Sequence, residues 1–476
     1  MWWLIFPIFL LGFIFVVLAK GLVFTPKDGP KVSDEDIFFD KAKAVENLRA
    51  LVRCKTISHS DPELEDNEEF NKFISLLPVL YPNVFKVCEI KTFPDRALLL
   101  RWKGENEGDA TVLMSHYDVV PVSSDWTKPP FGGEIHDGKL YGRGALDTKS
   151  TFNGCLSAAD QLILDGFTPK NDIYFAFSGG EEINGAGAKH IVDFFENEKI
   201  SLSLVLDEGG AVVENVFPGV SGSVGLIGIA EKGMMNVKYS VKSGGGHASA
   251  PKPGAPIDRL SSACLNMVFN PFKARLSEPV RQMFDTLGRH SSLLYRIIFA
   301  NIKIFLPLLA FLGKKSGGEM NALLRTTVAF TQAEGSPASN VIPTESHLVS
   351  NIRLNPLDDM ESALEYIKKT VNDENVSVSL MSGYNPSRIS TTDCEGYRKI
   401  ASAVASTWKG AIVSPYLMVQ CSDSRHYGKI SDKVYRFSAM DLTSEERASI
   451  HGNDERIRIE TIHKTVEFYI RLIKSC

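Results

Sequence analysis

The chain has 476 residues, 44% of them hydrophobic, more than one compact core usually holds, so two domains are expected. Charged residues make up 23% and nearly balance at a net charge of -5, which leaves no basic footprint for nucleic acid. The seven cysteines (Cys54, Cys88, Cys155, Cys264, Cys394, Cys421 and Cys476) are scattered and form no CxxC pair, which excludes a thiolate zinc site and argues against a disulfide framework, so any metal must be held by His and carboxylates.

In chain order, the first nineteen residues, MWWLIFPIFLLGFIFVVLA, are uncharged and stop at Lys20, a length that suits a membrane-crossing helix. Val17 and Ala19 also suit signal cleavage, so residues 1–21 are read as either a signal peptide or a membrane anchor. Either reading sends the remainder into the secretory pathway, secreted or anchored with a lumenal or extracellular body. Asn375-Val376-Ser377 is a glycosylation sequon that agrees with export, whereas proline excludes Asn385-Pro386-Ser387.

Residues 22–38 are polar and broken by Pro and Gly, as a linker would be. The body opens with the helical pattern KAKAVENLRALVRC. β-rich runs then alternate with amphipathic stretches: TVLMSH, a helix near 150–165, DIYFAFSGG, a helix near 186–198, and LSLVLDEGG. This pattern predicts an α/β domain with a mainly parallel sheet. From about Met234 the order becomes β-α-β-β-α-β, that of a ferredoxin-like α+β sandwich, and α/β patterning resumes near Cys394. The expected organisation is therefore a catalytic domain over 39–232 and 389–476, with a lid or dimerisation domain inserted at 233–388.

Within the insert, Leu293–Leu312 is strongly apolar but interrupted by Arg296, Asn301, Lys303 and Pro307, which argues against a second membrane span. Two readings stay open: a helix buried against the small sheet, or an apolar surface near the cleft that docks on a bilayer or holds an acyl chain. On the second, Phe305 and Leu309 are expected to serve long acyl chains.

Three predicted strands end in chemistry-bearing groups: TVLMSH runs into Asp118, DIYFAFSGG into Glu181-Glu182, and LSLVL into Asp207. Open α/β sheets place ligands at the carboxyl ends of their strands, so these groups converge. His116 and Asp118 stand two apart on an extended segment and project to one side, suiting a metal-bound imidazole fixed by a carboxylate. Taken singly, each has a plainer reading: a satisfied core His, a helix-capping Asp147, a solvated pair of glutamates, a structural Asp207 or His451.

The segments HYDVVPV, DWTKPPFGGEIHDGKLYGRGALDTKS, SGGEEINGAGAKH, LDEGG, GGGHASAP, ASNVIPTE, DSRHY and IHGNDE follow one another in an order and spacing that resemble the di-zinc family of aminoacylase, carboxypeptidase S and glutamate carboxypeptidase. The likeness runs from about residue 40 to the end and looks nearest to carboxypeptidase S and the exported N-fatty-acyl-amino-acid synthase/hydrolases. It implies two Zn2+ ions per subunit bridged by Asp147, with His116 and Asp207 completing one site and Glu182 and His451 the other. It further implies that Asp118 orients His116 and that Glu181 is the general base. His247 would reach a partner subunit's site in a homodimer, while Asn340, Arg353 and Arg425 would hold the substrate. The implied reaction is hydrolysis of the amide between an acyl group and an amino acid, with a short-peptide carboxypeptidase as the alternative. A catalytically silent scaffold would lack a ligand or base, and none is missing. An ester or nucleotide hydrolase would bring a phosphate-cradling loop or added basic residues, and neither is apparent. The chain departs from the family at Gln420-Cys421, where Gly-Gly commonly precedes the last loop, so the pocket beside it is expected to be narrowed.

Overall fold

The structure is a computed structural model that describes residues 2–215 and 217–476, with the side chains of residues 2–5, 7 and 8 outside the description. An apolar helix α1 (Trp2–Val23) comes first, and the first residue of the expected signal or anchor lies outside the described residues. Among the described residues no single helix is long and apolar enough to cross a membrane; α1 carries the apolar stretch Phe9–Val23.

Asp40 starts α2 (Lys41–Val52) by accepting from the Lys43 N–H at 2.9 Å, a side-chain N-cap. There follow β1 (Glu89–Phe93), β2 (Ala97–Trp102), β3 (Ala110–His116), α3 (Lys149–Leu164), β4 (Ile173–Ser178), α4 (Gly187–Asn197), β5 (Leu202–Glu214) and β6 (Ser223–Glu231). The chain then builds a second layer from β7 (Gly233–Lys242), α5 (Pro256–Phe269), α6 (Glu278–His290), α7 (Leu293–Ala300), α8 (Ile302–Ser316), β8 (Thr327–Glu334), β9 (Glu345–Leu354), α9 (Met360–Val371) and β10 (Ser377–Tyr384). It returns through α10 (Glu395–Thr407), β11 (Ile412–Met418), β12 (Val434–Leu442) and α11 (Ile459–Ser475).

The central eight-stranded sheet has the order β1-β2-β4-β3-β5-β12-β6-β11. The pairs β3–β4, β3–β5, β5–β12 and β6–β11 are parallel, with antiparallel pairing at β1–β2 and β2–β4. Every residue of β3 and β4 is buried, which explains their unbroken apolar runs: helices cover both faces of a parallel sheet. Beneath them Phe73 stacks on Tyr117 at 4.8 Å and Phe152 meets Phe177 at 4.1 Å. Each such ring contributes about 2–3 kcal/mol by leaving water.

The second sheet is antiparallel, in the order β8-β9-β7-β10, with α5 and α9 packed on it. The long apolar insertion does not pack there. Val280, Met283, Phe284, Leu287 and Phe299 of α6 and α7 share a core with Leu226, Tyr416 and Leu417 of the central sheet, so α6 covers the edge strand β11. Sheets shield their unpaired edges in this way.

Candidate active site

The ends of β3 and β4, the middle of β5, the loop before α3 and the turn at His451 supply the site. At the end of β3, alternation buries Tyr117 in the core, where its hydroxyl donates to Arg96 O at 2.7 Å, and sends His116 and Asp118 to the other side. The His116 Nδ1 lies 3.0 Å from Asp118 O and 3.3 Å from its Oδ1, so Asp118 stands against the imidazole. Asp118 is itself held by the Ser58 hydroxyl at 2.7 Å and by the N–H groups of Glu181 and Glu182, each at 3.1 Å. With both oxygens engaged by donors, Asp118 is a support for the β3 and β4 ends.

Asp147 sits at the centre. Its Oδ1 is 3.1 Å from His116 Nε2, while its Oδ2 is 3.0 Å from His451 Nε2. One carboxylate thus turns an oxygen towards each of two imidazoles, the arrangement of a bridging ligand. Glu182 Oε1 approaches His451 Nε2 at 3.3 Å and is buried with no hydrogen-bond partner. Glu181 stands beside His116, and ligand atoms of His116, Glu181 and Glu208 lie within 4.8 Å of one another, as do those of His116, Asp147 and Glu182.

The expectation for Asp207 needs correcting. Asp207 is bonded away from the cluster: Oδ2 accepts from Ser424 N and Oδ1 from Glu208 N, both at 2.9 Å. The neighbouring Glu208 instead brings Oε1 to 3.3 Å from His116 Nε2. Successive residues of an extended chain point to opposite sides, so only one of this Asp-Glu pair can face the cleft.

The electrostatics call for cations. Burial pushes Glu181 well above the usual carboxylate range, and burial together with the Asp147 charge pushes Glu208 up to about 8. The Asp147 carboxylate beside it, with that of Glu182 close by, lifts His451 to about 10. Burial opposes protonation of His116, yet the nearby Glu208, Asp118 and Asp147 carboxylates raise it well above its ordinary value. Four carboxylates drawn this close to one another repel unless positive charge sits among them. His and carboxylate donors divided about a two-oxygen bridge fit two divalent metal ions, and the divided set leaves positions for water and substrate.

A second layer missed in the sequence holds the two halves of the site together. Glu455, fully buried, accepts from Leu146 N at 2.7 Å, Asp147 N at 3.2 Å and Arg143 Nη1 at 2.7 Å. Arg143 Nη2 donates onward to His451 O and Gly452 O at 3.3 and 3.0 Å. This pair ties the Asp147 loop to the His451 turn, where His451 holds φ at +58°. A non-glycine residue in that left-handed region is uncommon and needs such support. On the other side Ser178 donates to Asp423 Oδ2 at 2.5 Å, joining the β4 end to the loop after β11.

The substrate-contact residues are spread out. Arg425 Nη1 donates to Ser422 O at 2.7 Å, its guanidinium lies 5.0 Å from the Tyr384 ring centroid, and it lines a cavity of about 490 Å³ with Asn184, Met234, Asn236 and His426. Asn184 caps the short turn Glu181–Ile183, so this cavity lies beside the segment that carries the two glutamates. Arg353 Nη1 donates to Cys421 Sγ at 2.9 Å, so the Gln420-Cys421 departure sits against that guanidinium. His247 and Asn340 lie together on a two-stranded ribbon (Gly246–His247 with Val341–Ile342), where Ala248 N donates to Asn340 O at 3.0 Å. Both are exposed, and this chain's own fold brings neither into the cluster contacts described above.

Two imidazoles and several carboxylates gathered about Asp147, with an adjacent glutamate, on the carboxyl side of an open α/β sheet define the class: a two-metal hydrolase. The chain belongs to the peptidase family M20/M25/M40, whose pattern matches residues 112–475. It is 33% identical over 483 residues to probable carboxypeptidase S-like 2 of Dictyostelium discoideum, covering 98% of this chain and 92% of that protein. It is 32% identical to the N-fatty-acyl-amino acid synthase/hydrolase of Xenopus tropicalis, covering 92% and 86%. Its fold is similar to that of an M20 family metallo-carboxypeptidase of Sulfolobus solfataricus, with a TM-score of 0.64 at 18% identity, covering 90% of this chain and 98% of that one.

Proposed function

We propose that this enzyme uses two zinc ions to hydrolyse the amide bond between an acyl group and an amino acid. The observation that carries the reading is Asp147, whose two oxygens face His116 and His451 separately, with Glu181 beside them. His116, Asp147 and Glu208 would hold one ion and Asp147, Glu182 and His451 the other. Bound there, the ions supply polarisation of the amide carbonyl and acidification of a water. Glu181, not needed as a ligand, takes that water's proton and delivers it to the leaving amine nitrogen. Asp118 keeps the His116 ring turned to the cluster and keeps the Glu181-Glu182 turn within reach of it. Arg425, with Arg353 beyond Cys421, offers a fork-shaped guanidinium for the free carboxylate of the amino-acid half. His247, exposed on its ribbon, is free to serve a second copy in a homodimer.

Similarity to the Xenopus tropicalis protein supports an N-acyl or N-fatty-acyl amino acid as substrate. Similarity to the Dictyostelium discoideum protein supports the second reading, a carboxypeptidase acting on short peptides. The apolar α1 supports an exported enzyme, secreted or membrane-anchored. The deciding experiment incubates the purified chain with N-fatty-acyl amino acids and with N-blocked dipeptides, with and without a chelator, and identifies the products. Chelator-sensitive release of fatty acid and free amino acid is expected; cleavage confined to the dipeptides would select the second reading, and chelator-insensitive turnover would end both.

A further inference from the structure

The apolar insertion joins α1. Asn301 Nδ2 donates to Val17 O at 3.0 Å, and Arg296 donates to Phe24 O at 2.9 Å and to Leu22 O at 3.2 Å. Arg289 donates to Thr25 O at 3.0 Å, with its guanidinium 4.2 Å from the Phe24 ring centroid. Arg296 and Asn301, two of the residues that interrupt the apolar run, and Arg289 before it are therefore spent on carbonyls of α1 and of the residues just after it, and Leu22 O is one that a helix end leaves without a partner. A Cβ on Gly21 would collide with Ile297, so α1 and α7 touch at backbone distance. The contacts run in opposite senses along the two chains, 301 with 17, 297 with 21 and 296 with 22, so α7 descends antiparallel to α1. At Asn301 the chain bends by 108° into α8, which departs from the α1–α7 pair at the level of Val17.

α8 is divided lengthwise. Ile302, Leu306 and Leu309 pack towards the core beneath β11, and Phe305 is half-buried beside them, while Ile304, Leu308 and Leu312 are close to half exposed and Phe311 is 64% exposed. The outer set recurs at i, i+4, i+7 and i+8, one face of a helix. This corrects the expectation for Phe305 and Leu309, which lie on the inner side. α1 is apolar and open as well, with Phe9, Leu11 and Phe15 75%, 66% and 71% exposed. Between Asp285 and Glu319 there is no acidic residue, whereas Arg289, Arg296, Lys303, Lys314 and Lys315 fall there, and residues 1–27 hold only Lys20 and Lys27 as ionised side chains. In a chain of net charge -5, that is a local basic zone around an apolar face.

We infer that α8 lies in the plane of an anionic lipid bilayer entered by α1, with Ile304, Leu308, Phe311 and Leu312 among the acyl chains and Lys303, Lys314 and Lys315 at the headgroups. An exposed apolar face with lysines at its margins is the pattern of an interfacial helix drawn to an anionic surface. The sharp bend between α7 and α8, with α7 bonded to α1, gives the enzyme two attachments in fixed relation, so the body is held at one orientation to the membrane. The inference goes beyond the catalytic reading and does not depend on it.

The test reconstitutes the full chain in phosphatidylcholine–phosphatidylserine vesicles whose acyl chains carry an alkyne tag, with benzoylphenylalanine in place of Phe311, Leu11 or Val79. Val79 is 73% exposed on a helix of the body, away from this face. On illumination, tagged lipid adducts are expected at both Phe311 and Leu11, at least tenfold above Val79. An adduct at Leu11 but not at Phe311 overturns the in-plane assignment while leaving α1 in lipid. A protein–protein adduct at Phe311 would give the face to a second copy, and no adduct at either position would remove the bilayer from both helices.

Discussion

The metal-ligand cluster and the ribbon that carries His247 and Asn340 are built in opposite ways. In the cluster, side chains are buried at the ends of a parallel sheet, and their orientation is set by groups that do no chemistry themselves: Ser58 and two N–H groups hold Asp118, and Glu455 holds the backbone of Asp147. On the ribbon, His247 and Asn340 are exposed and rest on a single pair of short strands, with Ser249 as the hydrogen-bond partner of the imidazole at 2.8 Å. Positions that must hold a reacting atom are fixed by packing, whereas positions that meet a substrate or a second subunit stay accessible. Substitution in the first region should therefore change metal content or stability, and in the second it should change turnover alone.

The largest effects are expected where one residue serves two ions. Asp147→Ala should lose both metals, measured by elemental analysis, and with them essentially all hydrolysis. Glu181→Gln should keep its metal and lose activity by about a hundredfold or more, since a proton carrier is removed and no ligand is. Metal loss from Glu181→Gln, with retention in Glu182→Gln, would exchange the two roles.

A sharper test lies in the adjacent pair Asp207-Glu208. Glu208→Gln should weaken metal retention at least tenfold, whereas Asp207→Asn should retain metal and lose about 1–3 kcal/mol of stability, because a buried acceptor for Ser424 N is disturbed. The opposite result would mean that the middle of β5 is turned over. This pair also marks how far the sequence could be read. The ends of TVLMSH, DIYFAFSGG and LSLVLDEGG did converge on one crevice, because buried parallel strands announce themselves as apolar runs and their next polar residues must lie at the sheet's carboxyl edge. Which of two consecutive carboxylates faces the crevice depends on strand phase, and DE in sequence carries no phase.

Other parts were beyond the sequence for different reasons. Glu455 stands within IHGNDE, yet nothing in that string says that it reaches 309 residues back to Leu146 N. The β-α-β-β-α-β order of the second sheet was legible from periodicity. The packing of α6 and α7 on the edge strand β11, and not on that sheet, was not, since an apolar helix does not specify its partner. The pair Arg143–Glu455 gives a test of intermediate size. Arg143→Met leaves a carboxylate buried without its ion-pair partner, at about 3–5 kcal/mol, and frees the His451 turn, so denaturant unfolding should show the loss. Metal affinity, read by chelator competition, should fall about tenfold or more, as for other groups that orient ligands. A stability loss with unchanged metal affinity would reduce the pair to scaffolding.

The smallest expected effect separates the two regions by pH. His426 lines the Arg425 cavity, its Nε2 is buried without a hydrogen-bond partner, and burial, reinforced by the charges of Arg425 and Lys189, lowers it from 6.5 to about 4. Between those values the unfolded chain binds a proton at this position that the folded chain refuses. Stability must therefore rise with pH through that window and fall as pH drops from 6.5 towards 4, with about 3 kcal/mol as a ceiling. His426→Gln, which keeps an amide donor and acceptor but cannot titrate, should flatten that part of the stability–pH curve when measured by urea unfolding of metal-depleted protein, so that metal release does not contribute. A curve that His426→Gln leaves as steep as before would place the proton uptake elsewhere and remove the burial of this recognition pocket from the comparison with the open ribbon.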